Sequence, residues 1–213
     1  MTDASERKRI VVVGDPRKWI QCEITERQSR DAFYAAKAIA EKRRAYKSND
    51  AWAKGMFGDP ITPVHIGFIG EIAFAMVMQI YFPRFPAANL QARAGGDGGK
   101  DFAICDCRVD VKTTVRANSS LLLREDKIAD DTIYVAAFLS GDMQTVSFKG
   151  FVTGADAIAE GVRKRGKSKT GKANWVNLVI EQSSVRPMSE LITNLRERHE
   201  RKLLPASHRK SNH

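Results

Sequence analysis

Gly95-Gly96-Asp97-Gly98-Gly99-Lys100-Asp101-Phe102-Ala103-Ile104-Cys105-Asp106-Cys107-Arg108-Val109-Asp110-Val111-Lys112-Thr113-Thr114 is the stretch that decides the fold. A glycine-rich loop runs into a strand that begins at Asp101. A tight turn follows, and a second strand carries Asp110, Val111 and Lys112. Residues two apart on a strand share a face, so Asp110 and Lys112 point one way and Val111 the other. With Asp106-Cys107 as the turn, Cys105 pairs with Arg108, Ala103 with Asp110 and Asp101 with Lys112. Asp101 and Asp110 then become diagonal neighbours, roughly 7–8 Å apart at Cα. The other face collects Phe102, Ile104, Val109 and Val111, an apolar set suited to a core. A one-residue slip would scramble both faces, so the pattern favours this register. Two acids and a lysine on one face suit a divalent cation and an activated water. The same residues also suit an ordinary amphipathic hairpin with solvated charges.

Glu71 adds a third acid. It lies within Val64-His65-Ile66-Gly67-Phe68-Ile69-Gly70-Glu71-Ile72-Ala73-Phe74-Ala75-Met76-Val77-Met78-Gln79-Ile80-Tyr81, a helix-like run apolar nearly all round. Such a helix is expected to be buried. A lone ionised carboxylate there costs several kcal/mol unless it is paired or binds a metal. Gly67 and Gly70, one turn before the acid, would let another backbone approach closely. The alternative is a glutamate reaching solvent from a helix end, or one paired with a structural arginine.

The order Gly70-Glu71 on a helix, then Asp101, then Asp110-Val111-Lys112, resembles the PD-(D/E)XK nuclease superfamily, over residues 64–139. That group includes restriction endonucleases, Holliday-junction resolvases, and many phage and repair nucleases. Lys100 stands before Asp101 in place of proline, and no Gln-x-x-x-Tyr motif follows the hairpin, so the RecB-type exonuclease branch gains no support. The resemblance implies a restriction-endonuclease-like α/β core, a mixed sheet flanked by helices. It also implies that Asp101 and Asp110 bind Mg²⁺ (or Mn²⁺), with the Val111 carbonyl and Glu71 assisting, while Lys112 orients or helps deprotonate the attacking water. Oxygen ligands of this kind suit Mg²⁺, which lowers the pKa of a bound water. Asp97 is the rival for the Asp101 role; Asp101 is preferred because it adjoins the alternating strand. Small phage-encoded members are similar in size, and many relatives cut both strands as homodimers.

Composition agrees with a nucleic-acid partner. The chain of 213 residues has 35 Lys+Arg against 25 Asp+Glu, a net charge of +10, which suits a polyanion such as DNA without bearing on fold. One domain of ordinary core size is expected across residues 26–200, preceded by N-terminal strands in 1–25 and followed by a basic tail, 201–213. No run of about 18 apolar residues stands out, so no membrane span is expected. The N-terminus lacks a signal-peptide core, and cytoplasmic residence follows. Cys22, Cys105 and Cys107 do not form a disulfide framework, and no second Cys or His pair gives Cys105 and Cys107 zinc-site spacing.

Along the chain, residues 10–13 and 19–24 read as short strands and 26–47 as a helix, with Arg43, Arg44 and Lys47 on a basic face that could follow a phosphate backbone. That face is equally an ordinary solvated exterior. Residues 55–63 read as a loop, and 121–123, 132–139, 145–152 and 175–180 as strands. A short helix opened by Thr153 and a terminal helix from Ser189 complete the pattern. Between them Arg163-Lys164-Arg165-Gly166-Lys167-Ser168-Lys169-Thr170-Gly171-Lys172 holds six basic residues in ten and no acid. Within a basic segment 161–174 it reads as a mobile loop that clamps DNA in a salt-sensitive way. No helix-turn-helix or zinc finger is visible, which points toward structure-directed or weakly specific cleavage. The alternative is a non-catalytic, basic DNA- or RNA-binding accessory protein on the same scaffold.

Overall fold

The computed structural model describes residues 10–11, 19–45, 59, 61–90, 101–167 and 174–203. It is a mixed α/β protein with flanking helices. Six strands form the main sheet: β1 (Ile10–Val11), β2 (Ile20–Glu23), β3 (Phe102–Ile104), β4 (Cys107–Thr114), β6 (Thr132–Leu139) and β7 (Thr145–Thr153), in the spatial order β1-β2-β7-β6-β4-β3. All neighbours are antiparallel except β4 and β6. A second sheet of order β5-β9-β8 joins β5 (Leu121–Arg124), β9 (Asn174–Ile180) and β8 (Val162–Lys167). The helices are α1 (Glu26–Ala45), α2 (Ile61–Tyr81), α3 (Gly154–Glu160) and α4 (Met188–Leu203).

Local chemistry explains where the helices start. Thr25 and Gln28 form a capping box: the Gln28 N–H donates to the Thr25 hydroxyl at 3.3 Å, and the Thr25 N–H to Gln28 Oε1 at 2.9 Å. Asp59 accepts from the Ile61 and Thr62 N–H groups at 2.8 Å. That cap starts α2 at Ile61, inside the expected 55–63 loop, and Pro63 falls in the first turn, where its missing N–H costs nothing. Thr153 caps α3 by accepting from the Asp156 N–H at 3.1 Å.

One core lies between the main sheet and α1, α2 and α4. At its centre Phe74 packs against Phe85, Phe102 and Phe148, with ring centroids 5.9, 5.4 and 6.0 Å away. By length and composition α2 is apolar enough to cross a membrane. Ten of its residues, Phe74 among them, are buried in the protein, which accounts for that apolarity. A smaller core covers the other face of the sheet. There Leu121, Leu123 and Ile180 of the second sheet meet Tyr134, Ala136 and Val152 of the main one. β6, covered on both sides, is buried almost throughout, as a strand in the middle of three layers must be.

Two expectations about elements need correcting. The hairpin turn is Cys105-Asp106, not Asp106-Cys107. Phe102 lies opposite Val109, Ala103 opposite Arg108 and Ile104 opposite Cys107. Cys105 and Asp106 both have positive φ, 48° and 64°, the pattern of the two-residue turn whose twist matches a hairpin. Moving the turn by one residue shifts the pairing by two, so the faces survive while the partners change. Second, Val162–Lys167 is a strand paired with β9, not a loop; residues 168–173 lie outside the described residues.

Candidate active site

Asp110 and Lys112 project from β4 on the face opposite Val109 and Val111, which enter the main core. In the parallel ladder Asp110 is level with Tyr134 and Lys112 with Ala136. These two β6 residues belong to the smaller core, so the second sheet packs on the face that carries the acid and the lysine. Asp110 is only 5% exposed, and its Oδ2 is 2.6 Å from the Lys112 ammonium.

Asp101 sits just before β3, where backbone pairing to β4 ends. Its N–H donates to the Val109 carbonyl at 2.8 Å. Its side-chain Oδ2 accepts from the Val111 N–H at 2.6 Å. The carboxylate thus takes the place of a missing ladder partner and is tied to the middle of the Asp110-Val111-Lys112 triplet. In the observed register it stands level with Asp110, not with Lys112.

Glu71 arrives from α2, which lies on the opposite side of the sheet. Gly70 permits the approach: a Cβ there would sit 1.8 Å from Thr113 Oγ1. Gly67 has nothing within 4 Å of its virtual Cβ, so only one of the two glycines serves close packing. Thr113 Oγ1 is buried without a hydrogen-bond partner.

The electrostatics bind these residues into one group. Burial first, then the charges of Glu71 and Asp110, push Asp101 up to about 9, against the opposing Val111 N–H and Lys112. Burial alone would pull Lys112 down. The charge and hydrogen bond of Asp110, helped by Asp101 and Tyr134, more than reverse that and hold the ammonium above its ordinary range. A crowded acid set of this kind is a marker of functional sites. Its donors are all oxygen, the chemistry a hard cation such as Mg²⁺ prefers. Among the described residues, no three acids, histidines or cysteines stand assembled as a ready-made metal cage.

Of the other sequence-level candidates, Arg163 is exposed and pairs with Glu125 at 2.7 Å. Lys164 and Arg165 are exposed on β8. Arg43 and Arg44 lie within α1 and Lys167 within β8, with side chains outside the described set. Lys47, Asp97, Lys169 and Lys172 lie outside the described residues.

Lys149 was missed. It is 8% exposed on β7, with its ammonium 5.5 and 5.8 Å from the Trp19 and Phe138 ring centres. It donates to the Ala117 and Ser119 carbonyls, holding the loop that leaves β4. Burial lowers its pKa. Its signal in the sequence was a single cation within an apolar strand, Val146-Ser147-Phe148-Lys149-Gly150-Phe151. No protein-family model, no curated protein and no solved structure matches this chain.

Proposed function

We propose that this chain is a Mg²⁺-dependent nuclease with a restriction-endonuclease-like core of the PD-(D/E)XK kind, acting on DNA phosphodiesters with little sequence preference. The observation that carries the reading is the crowding of Asp101 by the charges of Glu71 and Asp110, from separate places in the chain, with Asp110 held by Lys112. Asp101 and Asp110 would hold the ion, with the Val111 carbonyl and Glu71 as further oxygen donors. When bound, Mg²⁺ supplies a water of lowered pKa and offsets charge on the scissile phosphate.

The chain's own residues do the rest. Asp101, tied to the Val111 N–H, keeps its carboxylate beside the Asp110 strand. Lys112, kept protonated by Asp110, places a fixed positive charge beside the reacting phosphate, where negative charge grows in the transition state. It acts here as a cation rather than a base. Packing of the second sheet on the same face brings a cationic strand, β8, to the side of the sheet that carries the acids; alternation turns Arg165 toward that side and Lys164 away from it, so Arg165 would meet the phosphate backbone.

A second reading rests on the Asp110–Lys112 contact itself, because an ion pair of 2.6 Å between a buried carboxylate and a partly exposed ammonium is also what a purely structural pair looks like. The protein would then be a basic nucleic-acid-binding scaffold without catalysis. Incubation with supercoiled plasmid, linear duplex, single strands and a branched junction, in Mg²⁺, Mn²⁺ or EDTA, separates the two. Metal-dependent cleavage that Asp110→Ala and Lys112→Ala abolish is expected. Equal cleavage in EDTA, or by Asp110→Ala, would remove the mechanism.

A further inference from the structure

Away from the acids, a groove of about 400 Å³ opens between the first turns of α1, the start of α2 and the β6–β7 turn. Its walls are unusual for a surface groove. Phe33 and Tyr34 are 41% and 60% exposed, with their rings edge to face at 5.9 Å. Phe33 is braced from behind by His65, whose ring is 5.5 Å away and is tethered to the Ser29 carbonyl at 3.0 Å. Arg30, also on the wall, is exposed and forms no ion pair among the described residues. On the far side Asp142 is oriented by the Ser140 hydroxyl and by the Gln144 N–H.

Two adjacent exposed aromatic rings on the wall of a groove form an apolar patch that a planar ligand can cover. What covers these also meets the Arg30 guanidinium, with the Glu26 carboxylate one turn before it on α1, and the Asp142 carboxylate across the groove. An unpaired nucleobase does so: its face stacks on an aromatic ring, its N–H or amino edge donates to a carboxylate, and its own phosphate meets the arginine. A duplex does not, since its bases are stacked on one another and too wide as pairs for a groove of this volume. Lys37, exposed one turn further along the same helix, adds a second cation beside the ring pair, whereas Arg27 is paired with Asp31 at 4.0 Å. His65 precedes Glu71 by six residues of α2, about 9 Å along the helix axis.

We propose that this groove is a binding site for one unpaired base of a single-stranded or locally opened nucleic acid, with Phe33 and Tyr34 as the stacking platform and Arg30 and Asp142 at its ends. The proposal rests on the nucleic-acid part of the functional reading and is independent of catalysis.

Fluorescence anisotropy in EDTA tests it, with the full chain titrated into labelled oligothymidylate, oligouridylate and a DNA duplex of equal length. Tyr34→Ala and Phe33→Ala are expected to weaken single-strand binding by about tenfold or more, while duplex affinity stays within about twofold. Tyr34→Trp provides a second check: beyond the emission of Trp19, Trp52 and Trp175, followed in the wild type, its added emission is quenched by oligothymidylate and unchanged by duplex. Single-strand affinity unaltered in both alanine variants, or Tyr34→Trp emission quenched equally by duplex, overturns the base site and leaves the nuclease reading standing. A wild-type chain that binds none of the three ligands overturns both.

Discussion

Asp101 is the residue whose chemistry is most altered by its surroundings. Its folded-state pKa of about 9 stands well above the ordinary 3.8. The folded state therefore holds a proton between those values that the unfolded chain has released, so stability falls as pH rises through that window. Asn in its place can still accept from the Val111 N–H but never ionises. Asp101→Asn is accordingly expected to match the wild type near pH 4 and to melt about 3 °C or more above it near pH 8, without metal, by calorimetry. A constant difference across the range would contradict the crowding of the three acids.

Gly70 and Thr113 form the other decisive pair. A methyl at Gly70 overlaps the Thr113 hydroxyl, so Gly70→Ala should cost roughly 1–3 kcal/mol. Because that hydroxyl is buried and unpartnered, Thr113→Val should be neutral or stabilising by about 1 kcal/mol. Denaturant melts of Gly70→Ala alone and combined with Thr113→Gly check the clash directly, since the double variant is expected to regain most of the loss.

At the scale of elements, β4 organises the site from both ends. Its first half is paired to β3 through a turn with two left-handed residues, and its exit is held by Lys149. Among the described residues no carboxylate pairs with that ammonium; main-chain carbonyls and two aromatic faces hold it. Lys149→Met keeps the buried stem and loses the donors. Amide exchange in residues 115–120 should then accelerate by about tenfold or more, with the core strands β6 and β7 still protected. Unchanged exchange in that loop would show that the lysine does not hold it. The second sheet matters for a related reason. By packing β5 and β9 on the acid-bearing face, it covers part of that strand surface and carries β8 along with it.

For the whole molecule, a net charge of +10 would act through phosphate contacts, and these are countable. Replacing Arg165 by Ala should weaken DNA binding across sequences and lower the slope of log affinity against log salt by about 1. An unchanged slope would place the DNA away from β8. The same substitution should leave thermal stability nearly unaltered, because the side chain is exposed and enters no core.

How much of this was readable beforehand depended on the range of the interaction. The two faces of the hairpin followed from strict alternation, and Phe102, Val109 and Val111 are buried in the main core as alternation requires. Most of the run of α2, its burial and the cap at Thr153 were local facts of composition and hydrogen bonding, whereas the start of α2 at Ile61 and the Thr25–Gln28 cap were not read from the sequence. The turn position was not legible, because moving it by one residue preserves parity and changes only partners. Nor was the division into two sheets: β5, β8 and β9 alternate like any strands, and nothing local tells them which sheet to join. Folding alone set the parallel β4–β6 ladder, the seat of Glu71 across from Asp101, and the aromatic groove beside Arg30. Each of these joins residues distant in sequence, where the outcome depends on which surfaces can be buried together.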